Sequence, residues 1–387
     1  MTIPKYSGGV FVLDDSPVVY GDPDDDKSKH LGPGDHPSGS PQDVHAGDGG
    51  NSEADHILDH AANIKLLGAF NRRMKQARIR PNFTVQEGDP ILRALPDEAA
   101  RMKRFVTDEL YKRHGEFDRA EAEAAMAALV EAEGGKNANL GDLGWDSRNP
   151  LGEPYGEISD LTDDQLIRAL YERHVRSWAV SSTNSNPVSG AIHIAVAKKF
   201  GLDSDIAAMD DKTQATASQI YDRSKGVYDR IVDNMYDHTQ EQFELSGVDK
   251  VVVYRGMRFG KNNMPDEVKQ ALGGETNIKA AFTSQHELNP VSSYSVSYMR
   301  ARDFSGGAFV SMVSTSLVDR KDIFSSAITG IGSLSEMELL VIGKPLVSRS
   351  IAANWTPMET DDTEAIADAL ARASMPETVN EFHEAIK

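Results

Sequence analysis

The chain is expected to fold as an α+β protein, a mostly helical N-terminal region followed by a strand-rich C-terminal one. Three observations predict this. From about Asp55 to Gly247 the apolar residues recur at helical spacing, as in Ile220, Val227, Ile231 and Met235. After Gly247 the texture changes to short runs rich in Val, Ile, Phe and Ser, separated by Gly and Pro, which is the pattern of strands. Helices first and strands afterwards suit segregated layers rather than an alternating βαβ chain.

Taken in order, residues 1–56 are acidic and Gly/Pro-rich, with little to bury, and are expected to be flexible or held by a partner. Their histidines His30, His36 and His45 lie beside Asp35 and Asp43 but lack spacing that would preorganise a metal site, so no metal is expected. The stretch from His30 to Gly39 is similar to Gly/Pro/His-rich segments of phage structural proteins. A helical N-terminal region is placed over 57–150. Within it, Pro96-Asp97 opens a helix to about His114, and the Ala/Glu-rich run from Asp118 to Glu133 is a second, stopped by Gly134-Gly135. A Gly/Asn/Pro-rich break over 134–156 marks the boundary of a second region, 151–360. Here helices are expected from Leu161 to Ala179 and, as one long run, from about Thr213 to Phe243. Strands are expected near 250–255, 280–285, 308–315, 336–343 and 346–352, with helices near 265–272 and 290–302. A helical tail closes the chain over 361–387.

The formal charge is −19, from 60 acidic and 41 basic residues. About half of the excess lies in residues 1–60, which hold 12 acids and 3 bases. An acidic surface repels phosphate backbones, so no nucleic-acid partner is expected. The basic run from Arg72 to Arg80 reads as a solvated helix end. With no cysteine, disulfides, thiolate metal sites and cysteine nucleophiles are excluded. The N-terminus has no signal-peptide pattern, and no apolar stretch approaches the roughly 20 residues that cross a bilayer. The protein is therefore expected to be soluble and without a membrane partner, in a host cytoplasm or associated with a virion.

Three patches carry the chemistry: Val251-Val252-Val253-Tyr254-Arg255-Gly256, Ala281-Phe282-Thr283-Ser284, and Glu336-Met337-Glu338-Leu339-Leu340. Each is a strand-like run delivering one polar type: an arginine, a serine, then two carboxylates. A guanidinium fork at a strand end suits a pyrophosphate, and Gly256 would let the backbone approach a ligand. In a strand, residues i and i+2 share a face, so Glu336 and Glu338 would project together. This Arg…Ser…Glu-x-Glu order resembles the active site of mono-ADP-ribosyltransferases of the cholera-toxin and C2-toxin type.

The resemblance implies a two-sheet β core with flanking helices and NAD+ as a consumed co-substrate, with no metal. It implies catalytic roles for Arg255, Ser284, Glu336 and Glu338, and NAD contacts from Arg255, Gly256, Phe282, Thr283, Ser284 and His286. Ser284 would orient Glu338, although Gln285-His286 stand where Thr-Ser is usual. Ser314-Thr315-Ser316 spells the serine triplet literally but lies close before Glu336, so it stays the rival. Glu338 would stabilise the oxocarbenium-like cation, and Glu336 would direct the nucleophile of a protein acceptor, an arginine side chain. The Gly-containing segment from Phe324 to Ser335 fits a mobile loop that meets the protein substrate. Tyr171 and Asn186 are candidate lining residues, beside His174, Arg176 and Trp178 on the preceding helix. Two other readings remain open: a virion or assembly protein using the domain as a scaffold, and an NAD+ glycohydrolase with water as acceptor.

Overall fold

A computed structural model of the chain describes residues 53–354, apart from 87–88, 133–157, 181–185, 205, 207–208, 261–263, 274–278, 287–288, 307–308 and 345. The expectations for 1–52, for the break at 134–156 and for the C-terminal tail lie outside the described residues. The architecture is α+β. Helices α1 (Glu53–Gln76), α2 (Pro96–Arg113), α3 (Arg119–Ala132), α4 (Asp163–Val180), α5 (Pro187–Phe200), α6 (Asp211–Arg223) and α7 (Lys225–Leu245) precede most of the strands. Between α1 and α2 lies a small hairpin of β1 (Phe83–Gln86) and β2 (Asp89–Leu92). The C-terminal part holds β3 (Lys250–Phe259), α8 (Asp266–Ala271), β4 (Lys279–His286), β5 (Val291–Ser295), α9 (Tyr298–Ser305), β6 (Val310–Asp319), β7 (Ile323–Ser326), β8 (Glu338–Ile342) and β9 (Leu346–Asn354).

The expected run from Thr213 to Phe243 is two helices, broken at Ser224. This residue has φ −152° and ψ 42°, outside the helical region, and its buried hydroxyl donates to Ile220 O. The stretch at 290–302 is also divided, into β5 and α9. Ser297 starts α9 as its N-cap, accepting from Arg300 N. Such a cap supplies an acceptor to an otherwise orphaned N–H at a helix start.

The larger strands form one antiparallel seven-stranded sheet in the order β4-β9-β6-β3-β5-β8-β7. Most neighbours pair over many residues; β3 and β6 pair from Lys250↔Asp319 to Phe259↔Val310. The β3–β5 junction is different, with Tyr254↔Ser295 as its one register pair. The groups β4-β9-β6-β3 and β5-β8-β7 meet at this single pair within one seven-stranded sheet, where a two-sheet core had been expected. Beside this seam the Asn63 amide of α1 docks on β3, donating to Val252 O at 3.2 Å and accepting from Val252 N at 3.1 Å. It satisfies backbone groups that a fully paired strand would otherwise engage.

One apolar core runs through both expected regions. Phe70 and Met74 of α1, Met102, Val106 and Leu110 of α2, and Met126 and Leu129 of α3 join Tyr228 and Ile231 of α7 and Leu339 and Leu340 of β8 in a single cluster. The helices over 57–132 therefore pack on the sheet and do not form a core of their own. On the other face, α9 lies against β3. A Cβ on Gly256 would come within 1.8 Å of Ala301 O, so this glycine admits a helix backbone, where a ligand had been expected.

Candidate functional site

The seam places a polar row across three adjacent strands. Tyr254 of β3 pairs with Ser295 of β5, and Ser295 pairs with Glu338 of β8. Arg255, next to Tyr254, sets its guanidinium carbon 5.5 Å from the Tyr294 ring centroid, a cation–π distance. The guanidinium also acts on the Tyr294 hydroxyl, while its buried Nη1 makes no hydrogen bond of good geometry. Buried donors are rarely left unmade, and this one suits an anionic group supplied from outside the chain.

Glu338 is 4 % exposed. Its Oε1 accepts from Trp178 Nε1 of α4 at 3.4 Å, and its Oε2 from Ser333 N. Trp178 is held in turn by His193 of α5, whose ring lies 5.3 Å away. His193 Nδ1 accepts from Val291 N at 3.3 Å, and burial pushes the imidazole down to about 4, so it stays neutral as that bond requires. Helices α4 and α5 thus orient the carboxylate through a tryptophan.

Glu336 does not share a strand with Glu338. It lies in a turn, β8 begins at Glu338, and Met337 between them has φ 50° while fully buried. Strand alternation therefore does not bring the two carboxylates together; a left-handed residue does, a conformation uncommon outside glycine. Burial pushes half-buried Glu336 up to about 7, with the Glu338 charge adding to it, while Ser333, Arg300 and Lys103 pull the other way. The Ser295 hydroxyl donates to Glu336 O at 2.7 Å and accepts from Ser297 N at 3.0 Å. Ser297 Oγ donates to Asp89 Oδ2 at 2.9 Å, and Asp89 also accepts from Met299 N and Tyr298 N, so the β1–β2 hairpin clamps the start of α9.

Ser284 is not beside Glu338. It sits on edge strand β4, five strand steps from β8, which is about 24 Å along the sheet at the usual strand spacing. Its hydroxyl shares a 2.6 Å hydrogen bond with Ser350, which also bonds Ser314 at 2.7 Å. Thr283 is exposed and accepts from Arg349, while Phe282 packs in a satellite cluster with Met264 and Val268. These three therefore lie away from the Tyr254–Ser295–Glu338 row, and the side chain of His286 is outside the described residues. The rival triplet does no better. Ser314 is register partner to Arg255, yet its hydroxyl is spent on Ser350, and that of Ser316 on Ser348. The serine next to Glu338 is Ser295, in Tyr294-Ser295-Val296-Ser297, a sequence pattern that was there to be read.

The remaining expectations resolve as follows. Tyr171 lies in the helical core, its hydroxyl bonded to His114 and Asn234, and Asn186 is the N-cap of α5. His174 is buried edge-on against Tyr228. The segment from Phe324 to Ser335 is no open loop. Phe324, Ala327, Ile328, Ile331 and Leu334 are buried, and what reaches its surface is Ser333 and Ser335. A cleft of about 460 Å³ opens beside this end, lined by Arg93, Arg300, Arg302, Asp303, Met299 and Ser335 among others. It adjoins Glu336 through Ser335 and does not include Arg255 or Glu338. Among the described residues no cluster suits a metal ion, and no helix is long and apolar enough to cross a membrane.

No protein-family model, curated protein or solved structure matches the chain.

Proposed function

We propose that this protein is a mono-ADP-ribosyltransferase that cleaves NAD+ at the nicotinamide–ribose bond and passes ADP-ribose to an arginine of an acceptor protein. The observation that supports the reading is the register Tyr254–Ser295–Glu338 across β3, β5 and β8, with Arg255 next to Tyr254 on β3, so that an arginine, a serine and a buried carboxylate stand on three neighbouring strands. The buried Nη1 of Arg255 would take a pyrophosphate oxygen of NAD+.

Breaking the C–N bond sends its electron pair to nicotinamide, which leaves neutral, and positive charge grows on the ribose. Glu338, preset by Trp178 and Ser333, stabilises that charge without reorganising. The acceptor nitrogen then bonds to the ribose carbon, and its proton passes to Glu336. A carboxyl held near 7 is tuned for accepting a proton at neutral pH. Ser295 acts by fixing the Glu336 backbone and hence the turn between the glutamates.

Labelled NAD+ incubated with the protein and a host lysate, beside a Glu338→Ala control, tests the reading. Glutamate-dependent label on protein supports transfer. Free ADP-ribose with unlabelled protein would reassign the site to glycohydrolysis. Label left in NAD+ would leave the virion or assembly scaffold.

A further inference from the structure

The helical N-terminal part has no role in the reading above, yet it sends a buried cation to the turn that leads to the glutamates. Lys103 of α2 is 2 % exposed. Its Nζ donates to Gly330 O at 3.2 Å and to Ala327 O at 3.4 Å, in the turn that leads from β7 towards Glu336. The same turn is held at Ile328 O by Arg73 of α1, through Nε at 3.2 Å and Nη2 at 3.1 Å. Arg73 is ion-paired with Glu109, beside His238 of α7. Its charge is thereby balanced locally. The charged groups that act on Lys103 are Glu338 and Glu336, while Arg300 of α9 acts on Glu336 from another side.

We propose that Lys103 is a positioning residue of the candidate site: it fixes the 327–330 turn and supplies the cation against which Glu336 and Glu338 are set. The catalytic consequence rests on the transferase reading; the charge coupling does not. An ammonium is expensive to bury, and two backbone carbonyls could be met by a neutral donor or by water. Ala327, whose carbonyl accepts from this ammonium, donates its own N–H to Glu338 O at 3.0 Å, so the buried charge stands on the turn that is bonded to the strand end carrying the carboxylates. Burial lowers the lysine to about 8 and raises Glu336 to about 7, so the two groups titrate close together and each reports on the other.

Carboxyl 13C NMR of the full chain, with Glu336 assigned by comparison with Glu336→Gln, reads the coupling directly. In Lys103→Met the Glu336 midpoint should rise by on the order of one pH unit, as removal of a nearby cation requires, and Lys103→Arg should restore it. A lysine that served only as a strut would change thermal stability and leave the midpoint where it was; that result overturns the proposal. Should Lys103→Met fail to fold, the reciprocal measurement stands in its place. Coupling is mutual, so Glu336→Gln must lower the Lys103 side-chain midpoint, and an unmoved lysine would equally sink the idea. If the native chain turns over no NAD+, the transferase reading falls, while these titrations still decide the role of Lys103. If it does turn over NAD+, the acid limb of transfer should shift in Lys103→Met by the same amount as the carboxyl.

Discussion

Glu336 and Glu338 are two residues apart and differ in surroundings, and the proposed transferase reading assigns them separate jobs. Glu338→Gln keeps the shape and removes the charge, and should lower nicotinamide release by roughly 10²–10³-fold, the scale of a lost transition-state electrostatic contact. Glu336 must be ionised to take the acceptor proton. Transfer to arginine should therefore rise with pH through about 7, while glycohydrolysis, which does not use Glu336, stays flat across that range. A transfer profile without this limb, or the same limb in Glu336→Gln, would contradict the assignment. The sequence made the carboxylate pair legible because Glu-x-Glu in an apolar run is a local signal. It hid Lys103, because a lysine in a helix reads as solvated surface. Yet Lys103, Val106 and Leu110 fall on one stripe of α2 at helical spacing, and all three are buried. A lysine in an apolar stripe was the available sign.

The seam between β3 and β5 shows how individual elements build the site and where they are vulnerable. Gly256→Ala would drive a methyl group into the α9 backbone at Ala301, with a cost of about 1–3 kcal/mol readable from urea unfolding. An unchanged midpoint would mean that α9 does not press on β3 as described. Asp89 offers a pH test of the other end of α9. Burial pushes it up to about 6 from 3.8 despite its hydrogen bonds to Met299, Ser297 and Tyr298. The protonated form is favoured in the folded state, so its stabilisation is present at about pH 4 and is lost as pH rises through about 6. Asp89→Asn should flatten that part of the stability curve; an equally steep decline in the variant would count against the carboxyl. Strands β3, β4, β6 and β9 were legible as apolar runs. β5 was not, because Val291-Ser292-Ser293-Tyr294-Ser295 is short and serine-rich, and its place is set by partners on β3 and β8. That omission drew attention to Ser284, on a strand that the sheet sends to its far edge, and away from Ser295, the register partner of Glu338.

At the scale of the whole molecule, the shared core joins what the composition separates. The Gly/Asn/Pro-rich break suggested two regions, but Met102 and Leu129 pack in the same cluster as Leu339 and Val341. Chain composition reports where the backbone is permissive; it does not report which apolar faces meet across it. Calorimetry of the full chain should accordingly give one transition for the helices and the sheet together, with equal calorimetric and van't Hoff enthalpies. Two resolved transitions would show that the α1–α3 layer folds apart from the candidate site. It would also remove the structural reason for Lys103 to act on the glutamates.

The most direct test of the central claim is the initial rate of nicotinamide release from NAD+ by Ser295→Ala beside Ser284→Ala. The account predicts that Ser295→Ala falls by roughly tenfold, the rate equivalent of one hydrogen bond, while Ser284→Ala stays close to the native chain. The reverse ranking, or no release by the native chain, would contradict it.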